Sequence, residues 1–468
     1  MYKLWRILKG QKVQTAIFLI LYCVVVFLPP VIYGYVYPNA GDDSAFHLVF
    51  FERMQNGDVG IQVLYLGYWV VGRSLVFLSN ITNVGLNVLY LWFYYGALTL
   101  IGLVFYFVGY KIFNRRVGWM ALLLSVFCSQ GVLFLFYYGQ IFDLINMGII
   151  FPLLLLSIAS YLRDRKWWKL SIFILLGLLF SVFHLNGVYL PVIIGFATTC
   201  YVLYCVFKKQ KVEKHIVAIG GISTVCALIV YLSLLHLPLS KPSEASLVLV
   251  PNYVVTIITP SLMILISVVL ADLKRTIKSI KSLSQRVTVV MLASGVAVLT
   301  IVAFGELSVY PWRQAVDMAI LLSFLVAIFV GLSLERKRSK VVIAIVFVSI
   351  VFGLFNSISV WFDNNSAMKK VDENVLVYMN ANGYKTFSCS PEVAPWIYSR
   401  FTDIDWVQKN GEVLIVRNIP MTAKSNKASI WYEGHGFIPD ENYRVIKSYT
   451  DGNVSVSIYE RNLDKSKK

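Results

Sequence analysis

Charged side chains are scarce in this chain, and their scarcity indicates its class. Only 14% of the 468 residues are Asp, Glu, Lys or Arg, whereas 58% are hydrophobic and the mean hydropathy is +0.69. A water-soluble globule cannot bury that much apolar side chain, but a lipid bilayer can solvate it. The composition excludes an ordinary soluble protein and predicts a polytopic α-helical membrane protein.

Cysteine is also scarce, with six residues in the chain. Five of them fall within apolar stretches, and Cys389 stands alone in the polar C-terminal region. This distribution excludes a disulfide framework, and the spacing matches no zinc site. The sequence also contains no internal repeat and no low-complexity tract.

Eleven apolar stretches are candidates to cross about 30 Å of hydrocarbon as helices. Aromatic residues make up 15% of the chain, as expected for spans whose ends lie at membrane interfaces. We interpret the first stretch as a retained anchor, since it lacks a small-residue cleavage site. The predicted spans are Thr15–Tyr37, Leu86–Tyr110, Val117–Tyr138, Phe142–Leu162, Leu170–Phe183 (which is short), Val188–Phe207, Ile216–Leu237, Pro251–Leu270, Val287–Phe304, Ala315–Leu334 and Val341–Trp361.

Basic residues are concentrated in alternate connectors between these spans. With a cytoplasmic N-terminus, the cytoplasmic segments hold 24 of the 42 Lys and Arg residues, and the outer face before the tail holds four. This asymmetry follows the positive-inside rule and predicts that the tail after Trp361 is extracytoplasmic. The net charge of +17 therefore reflects membrane topology, and we expect a multi-pass protein of the plasma membrane with no nucleic-acid partner.

The chain divides into two predicted domains. Residues 1–361 form a transmembrane domain of about 11 helices, and residues 362–468 form a small extracytoplasmic α/β domain. In the second, YKTFSCS and EVLIVRN are typical of strands and PEVAPWIYSRF of a helix, and a hairpin is predicted around Asp451-Gly452.

The first outer loop, residues 38–85, is unusually long, and such loops usually carry function. Its GDDSAFHLVFFERM segment predicts a helix that starts near Asp42 and lies on the membrane surface. A second semi-apolar run, Ile61–Leu78, contains Arg73 and two glycines, and we interpret it as interfacial or re-entrant.

The same segment contains the clearest candidate for chemistry. Asp42 and Asp43 are adjacent carboxylates, and His47 lies one helical turn after Asp43 on the same helix face. Such a set can act as a general base with an orienting partner, or as ligands for a divalent cation. The alternative is that the two aspartates only cap the helix, with His47 half-exposed on its surface.

This layout resembles the GT-C class of membrane glycosyltransferases, which includes protein mannosyltransferases and oligosaccharyltransferases. The resemblance covers the whole chain in layout, and GDDSAFH in motif. It implies that Asp42 or Asp43 is the catalytic base or a metal ligand, with Asp43 and Asp143 as metal ligands if Mg or Mn is used. It also implies that Glu306 matches a later acidic position and that Arg313 contacts the donor phosphate.

Four outer residues have structural alternatives. Arg313 is also typical of an interfacial anchor, Glu306 of a solvated position, and Asp143 of a helix cap. His184 and Asn186 belong to a short outer connector and are predicted to bind substrate or to serve only as connector residues.

The resulting hypothesis is a hexosyl- or pentosyltransferase that moves a sugar, with inversion, from a polyprenyl-phosphate donor to an extracytoplasmic glycan, lipid or protein. A multi-pass transporter, a polysaccharide polymerase or ligase, and a non-catalytic scaffold or receptor are the alternatives. Transporters usually place ionisable residues near the bilayer midplane. Polymerases usually rely on several arginines in a late outer loop, where this chain offers Arg313.

Overall fold

The computed structural model describes residues 11–33, 42–57, 66–127, 129, 132, 140–184, 187, 189–234, 260–271, 273–304, 311–335, 343–353, 370–389, 405–406, 411–418, 443–451 and 454–461. Most of these ranges are helical. The helices are α1 (Gln11–Tyr33), α2 (Asp42–Gln55), α3 (Leu66–Thr82), α4 (Leu86–Ile112), α5 (Arg115–Leu122, followed by a π turn at Leu123–Phe127), α6 (Ile141–Asp164), α7 (Trp167–Phe183), α8 (Tyr189–Phe207), α9 (Lys214–Leu234), α10 (Pro260–Ala271), α11 (Leu273–Ile277), α12 (Leu283–Phe304), α13 (Pro311–Glu335), α14 (Ile343–Gly353) and α15 (Lys370–Asn382).

Within these ranges, five helices are long and apolar enough to cross a membrane: α4, α6, α8, α12 and the Arg313–Leu334 part of α13. Each coincides with a predicted span, and α12 begins four residues earlier than expected, at Leu283. A helix also occupies part of every other predicted span. The total of eleven crossings stays a prediction, because several of those helices are short within the described ranges.

The long helices run between two ends of one bundle. At one end, Arg116 Nη1 of α5 donates to the Leu334 carbonyl of α13 (2.6 Å), and Gln285 Nε2 donates to the Ile112 carbonyl of α4 (3.3 Å). α6 ends and α7 begins at this same end, where Arg165 takes a left-handed conformation (φ 55°). We call it the basic end, because Lys111, Arg116 and Arg163 lie there.

We call the opposite end of the bundle the polar end. Helices α4, α6, α8 and α13 begin there, and α7 ends there. Helix α3 lies here without crossing. Near its start, Gly67 packs against Phe183 at the close of α7, and its C-terminal end leads directly into Leu86 at the start of α4. Both of its ends are therefore at the polar end, which fits an interfacial segment and a re-entrant one equally.

Helix α6 widens into a π turn at Asn146–Ile150, between its first turn and its long apolar part. Pro152 follows closely and has no N–H to donate to the carbonyl of Gly148, so the regular hydrogen-bond pattern cannot continue there. π turns inside α-helices are frequent at functional sites. This turn lies immediately after Asp143.

The C-terminal region forms a five-stranded mixed sheet of β1 (Thr386–Cys389), β2 (Asp405–Trp406), β3 (Val413–Asn418), β4 (Tyr443–Asp451) and β5 (Val454–Arg461), in the order β2-β1-β3-β5-β4. β1 pairs in parallel with β2 and β3, whereas β4 and β5 form the predicted hairpin. The two predicted strands correspond to β1 and β3. Helix α15 packs against β4 and β5 and was not predicted. The predicted helix PEVAPWIYSRF and the predicted domain boundary at 361/362 lie outside the described residues.

Candidate functional site

A buried contact between a carboxyl group and an imidazole joins α6 to the end of α7 at the polar end. Asp143 lies in the first turn of α6, and His184 directly follows α7 in extended backbone conformation. Nδ1 of His184 contacts Oδ1 of Asp143, and the two side chains are only 3% and 1% exposed. A carboxylate and an imidazole removed from water need such a partner, since burying either charge alone is costly.

His47 of α2 belongs to the same buried region. Its side chain is 2% exposed, and its Nδ1 lies 2.9 Å from the hydroxyl of Tyr90 on α4. The imidazole contacts the rings of Phe142 and Tyr68, with centroids 4.7 and 4.9 Å away. This burial contradicts the alternative that His47 lies half-exposed on a surface helix.

Aromatic rings connect the two histidines. Phe142 precedes Asp143 in the chain and lies 4.2 Å, centroid to centroid, from Tyr68 of α3. The Tyr68 ring in turn lies 6.1 Å from the ring of His184. The interfacial helix α3 thus forms part of the wall between His47 and the Asp143–His184 pair.

Helix α13 adds a cation and a second carboxylate to this region. Arg313 and Asp317 are four residues apart, so they share one face of the helix. Asp317 is completely buried. The guanidinium of Arg313 lies close enough to interact electrostatically with Asp317, Asp143 and His47, and the two carboxyl groups also interact with each other.

We call these five ionisable residues, His47, Asp143, His184, Arg313 and Asp317, the polar cluster. Three further polar side chains are buried around it: Gln140, Asn146 and Gln314. Nδ2 of Asn146, in the π turn, donates to the carbonyl of Phe180 (3.2 Å). This hydrogen bond connects α6 to α7. On α6, Asn146 lies less than one helical turn after Asp143.

Glycines permit the close approach of the backbones that position the cluster. A Cβ at Gly67 would lie 2.6 Å from the carbonyl oxygen of Phe183, so only glycine lets α3 reach the end of α7. A Cβ at Gly187 would collide with the backbone of Phe180 and Ser181. The N–H of Gly187 donates to the carbonyl of His184 (2.9 Å), which holds Gly187 against the end of α7.

The protonation of His47 follows from its surroundings. Burial lowers the pKa of His47 well below its usual value of about 6.5, and the neighbouring charges of His184 and Arg313 lower it further. His47 is therefore neutral at physiological pH. A neutral imidazole can accept a proton or a hydrogen bond, so His47 can orient a substrate hydroxyl.

The structure brings together four of the predicted site residues: His47, Asp143, His184 and Arg313. It describes the backbone of Asp42 and Asp43 within α2 but not their side chains, and Glu306 and Asn186 lie outside the described residues. Roles for these four stay predictions. Asp317 was missed, although the spacing of Arg313 and Asp317 in PWRQAVD was a usable signal.

The predicted metal ligands are only partly within the described residues. Among the described residues, no group of three or more His, Cys, Asp or Glu side chains is placed to hold a metal ion. The predicted Asp43–Asp143 pair includes a side chain that is not described, so a Mg or Mn site there stays a prediction.

No protein-family model and no curated protein sequence matches this chain. Among solved structures, the chain is similar to the crystal structure of ArnT from Cupriavidus metallidurans bound to undecaprenyl phosphate. The two share 10% sequence identity with a TM-score of 0.49, over 96% of this chain and 98% of that chain. The likeness is one of overall layout and assigns no residue. Independently of it, the long apolar helices define a multi-pass membrane protein.

Proposed function

We propose that this protein is a membrane glycosyltransferase that moves a sugar from a polyprenyl-phosphate donor to an extracytoplasmic acceptor. The observation that carries the proposal is the polar cluster, in which two carboxyl groups and two imidazoles are buried at one end of an apolar bundle, beside the partly buried guanidinium of Arg313. Ionisable groups inside a membrane protein are costly and are retained mainly where they function. Their position at the edge of the bundle suits a lipid-linked substrate whose head group lies at the interface.

Arg313 is the proposed contact for the donor phosphate. A guanidinium can bind two phosphate oxygens at once, and it stabilises the negative charge that the phosphate acquires as the sugar leaves. Arg313 begins the long part of α13, where the apolar bundle meets the polar end. The polyprenyl chain would then lie along apolar helices while its phosphate remains at the cluster.

The acceptor reacts by a single displacement in this proposal. Its hydroxyl oxygen attacks the anomeric carbon, a carboxylate removes the hydroxyl proton, and the bond between that carbon and the phosphate oxygen breaks with its electron pair leaving on the phosphate. Attack from the face opposite the phosphate inverts the configuration at the anomeric carbon. Asp42 or Asp43 is the proposed base. The position of these residues in helix α2 supports this role, because Asp43 lies one turn before the buried His47 on the same helix face.

In this scheme, the Asp143–His184 pair stabilises the inner side of the site. Its contact fixes the start of α6 against the end of α7, and its imidazole lies 6.1 Å, centroid to centroid, from the ring of Tyr68. We assign it to substrate positioning, with the C-terminal domain covering the site or selecting the acceptor.

The test is a transfer assay with the purified, reconstituted full-length protein and radiolabelled polyprenyl-phosphate hexoses and pentoses, with and without chelator. Asp42→Asn and Asp43→Asn, made singly, identify the base. Arg313→Lys keeps the charge but loses bidentate binding, so we expect transfer to fall about 100-fold. Arg116→Lys, on α5 at the basic end of the bundle, is the matched control and should leave transfer unchanged. Equal activity of Arg313→Lys and its control would remove the phosphate contact from the mechanism.

A proton-coupled transporter is the second candidate, and the buried Asp143–His184 pair specifically favours it, because such pairs also relay protons. The pair lies at the first turn of α6, far from the midplane where transport sites usually lie. Proton uptake by sealed proteoliposomes that depends on Asp143, in the absence of any sugar transfer, would support the transporter instead.

A further inference from the structure

The basic end of the bundle carries a groove that the proposed reaction does not use. It lies between α4, α6 and α7 and has a volume of about 540 Å³. Its rim is formed by Lys111, Arg163 and Lys169, and its inner part by apolar side chains that include Phe107, Ile172 and Leu176. We call it the basic-end groove.

The rim is positively charged and held in place. Nη2 of Arg163 donates to the carbonyl of Lys111 (3.0 Å), so α4 and α6 are tied together at the rim. Nζ of Lys111 lies 5.5 Å from the ring centroid of Phe107, and Nζ of Lys169 lies 5.5 Å from that of Trp168. Asp164 contacts Lys169 and offsets one of the three positive charges.

The inner part of the groove is apolar and runs in the direction of a lipid tail. Leu176 lies two turns of helix beyond Lys169, so the groove extends about 10 Å from its charged rim toward the middle of the bilayer. Phe107 and Ile172 are exposed on its walls, as side chains in contact with lipid should be. Trp168 is exposed at the rim, where indole rings favour the membrane interface.

We propose that the basic-end groove binds an anionic phospholipid, with the phosphate between Lys111 and Lys169 and one acyl chain along Phe107 and Ile172. Charge complementarity selects an anionic head group over a zwitterionic one, since the rim keeps a net positive charge. The positive-inside asymmetry places this end at the cytoplasmic leaflet. The site lies at the opposite end of α6 and α7 from Asp143 and His184, so a bound lipid would hold together the two helices that carry that pair.

Native mass spectrometry of the full-length protein in detergent, titrated with dioleoyl phosphatidylglycerol or dioleoyl phosphatidylcholine, tests this proposal. We expect one phosphatidylglycerol molecule to bind at least about tenfold more tightly than phosphatidylcholine. The double variant Lys111→Gln with Lys169→Gln should lose about tenfold in affinity for phosphatidylglycerol. The matched control, Lys208→Gln with Lys209→Gln, removes the same charge from the same end outside the groove and should bind as the wild type does.

A second variant separates the tail from the head group. Ile172→Trp fills the exposed wall of the groove without changing charge, so we expect it to weaken binding of both lipids. Three results would overturn the proposal: equal binding of the two lipids by the wild type, unchanged affinity in the double lysine variant, or displacement of phosphatidylglycerol by an equal concentration of a polyprenyl phosphate. The last result would assign the groove to the donor chain.

Discussion

Replacing Asp143 by Asn tests whether the buried pair organises the polar end. The substitution keeps the size of the side chain but removes the charge that faces His184. The histidine would then be buried without its carboxylate partner, while the other cluster residues keep their places. We expect the variant to fold less stably and to lose sugar transfer.

The magnitude follows from the burial of both partners. Asp143 and His184 are 1% and 3% exposed, so water cannot replace the lost contact. Removing one partner of such a buried pair typically costs about 3–5 kcal/mol, although the amide retains some hydrogen bonding, so the lower part of this range is expected. Asp164→Asn, at the other end of the same helix, disrupts the more exposed contact with Lys169 and should leave stability unchanged within error.

The assay is a double-mutant cycle on the free energy of unfolding in mixed micelles. It compares Asp143→Asn, His184→Gln and the variant that carries both. If the two residues stabilise each other, the double variant will cost less than the sum of the single ones, by at least about 1 kcal/mol. Additive effects, or equal stability of Asp143→Asn and Asp164→Asn, would refute the reasoning.

Two further predictions concern packing and pH. Gly67→Leu should destabilise the protein by about 1–3 kcal/mol in thermal unfolding, because even the Cβ of the new side chain would collide with the Phe183 carbonyl. Gly96→Ala should leave stability unchanged, because a Cβ at Gly96 has no neighbouring atom within 4 Å. Because the pKa of His47 is lowered in the folded state, the unfolded chain takes up a proton below about pH 6.5 that the folded chain does not. The free energy of unfolding should therefore decrease as pH falls from 6.5 to 5, by up to about 1.4 kcal/mol per pH unit. The variant His47→Phe should show a smaller dependence on pH. An unchanged dependence would contradict the lowered pKa of His47.

Much of the helical architecture could be predicted from hydrophobic length alone. A span of about 20 apolar residues has few alternatives in a membrane, so the five long helices agree with their predicted positions to within a few residues. The sequence also predicted that α3 is interfacial or re-entrant, since Arg73 and two glycines interrupt its apolar run. The π turn in α6 was not predicted, although Pro152, which cannot donate to the carbonyl of Gly148, follows it in the sequence.

The site could be predicted only in part. His47, His184, Asp143 and Arg313 were selected because they are polar residues at one predicted end of the bundle, and the structure brings them together. Their contacts were not predictable: the partners of His47 and His184 are Tyr90 and Asp143, which lie 43 and 41 residues away in the chain. Asp317 was overlooked because it falls within an apolar span, where a single acid barely changes the average hydropathy.

The most direct test of the proposed sugar transfer is photo-crosslinking with a polyprenyl-phosphate hexose that carries a diazirine next to the phosphate. The account predicts labelled peptides from the first turn of α6, the residues that follow α7 and the start of α13, with labelling lost on competition by unmodified donor. Labelling confined to the basic end, or labelling at the polar end that excess donor does not reduce, would contradict it.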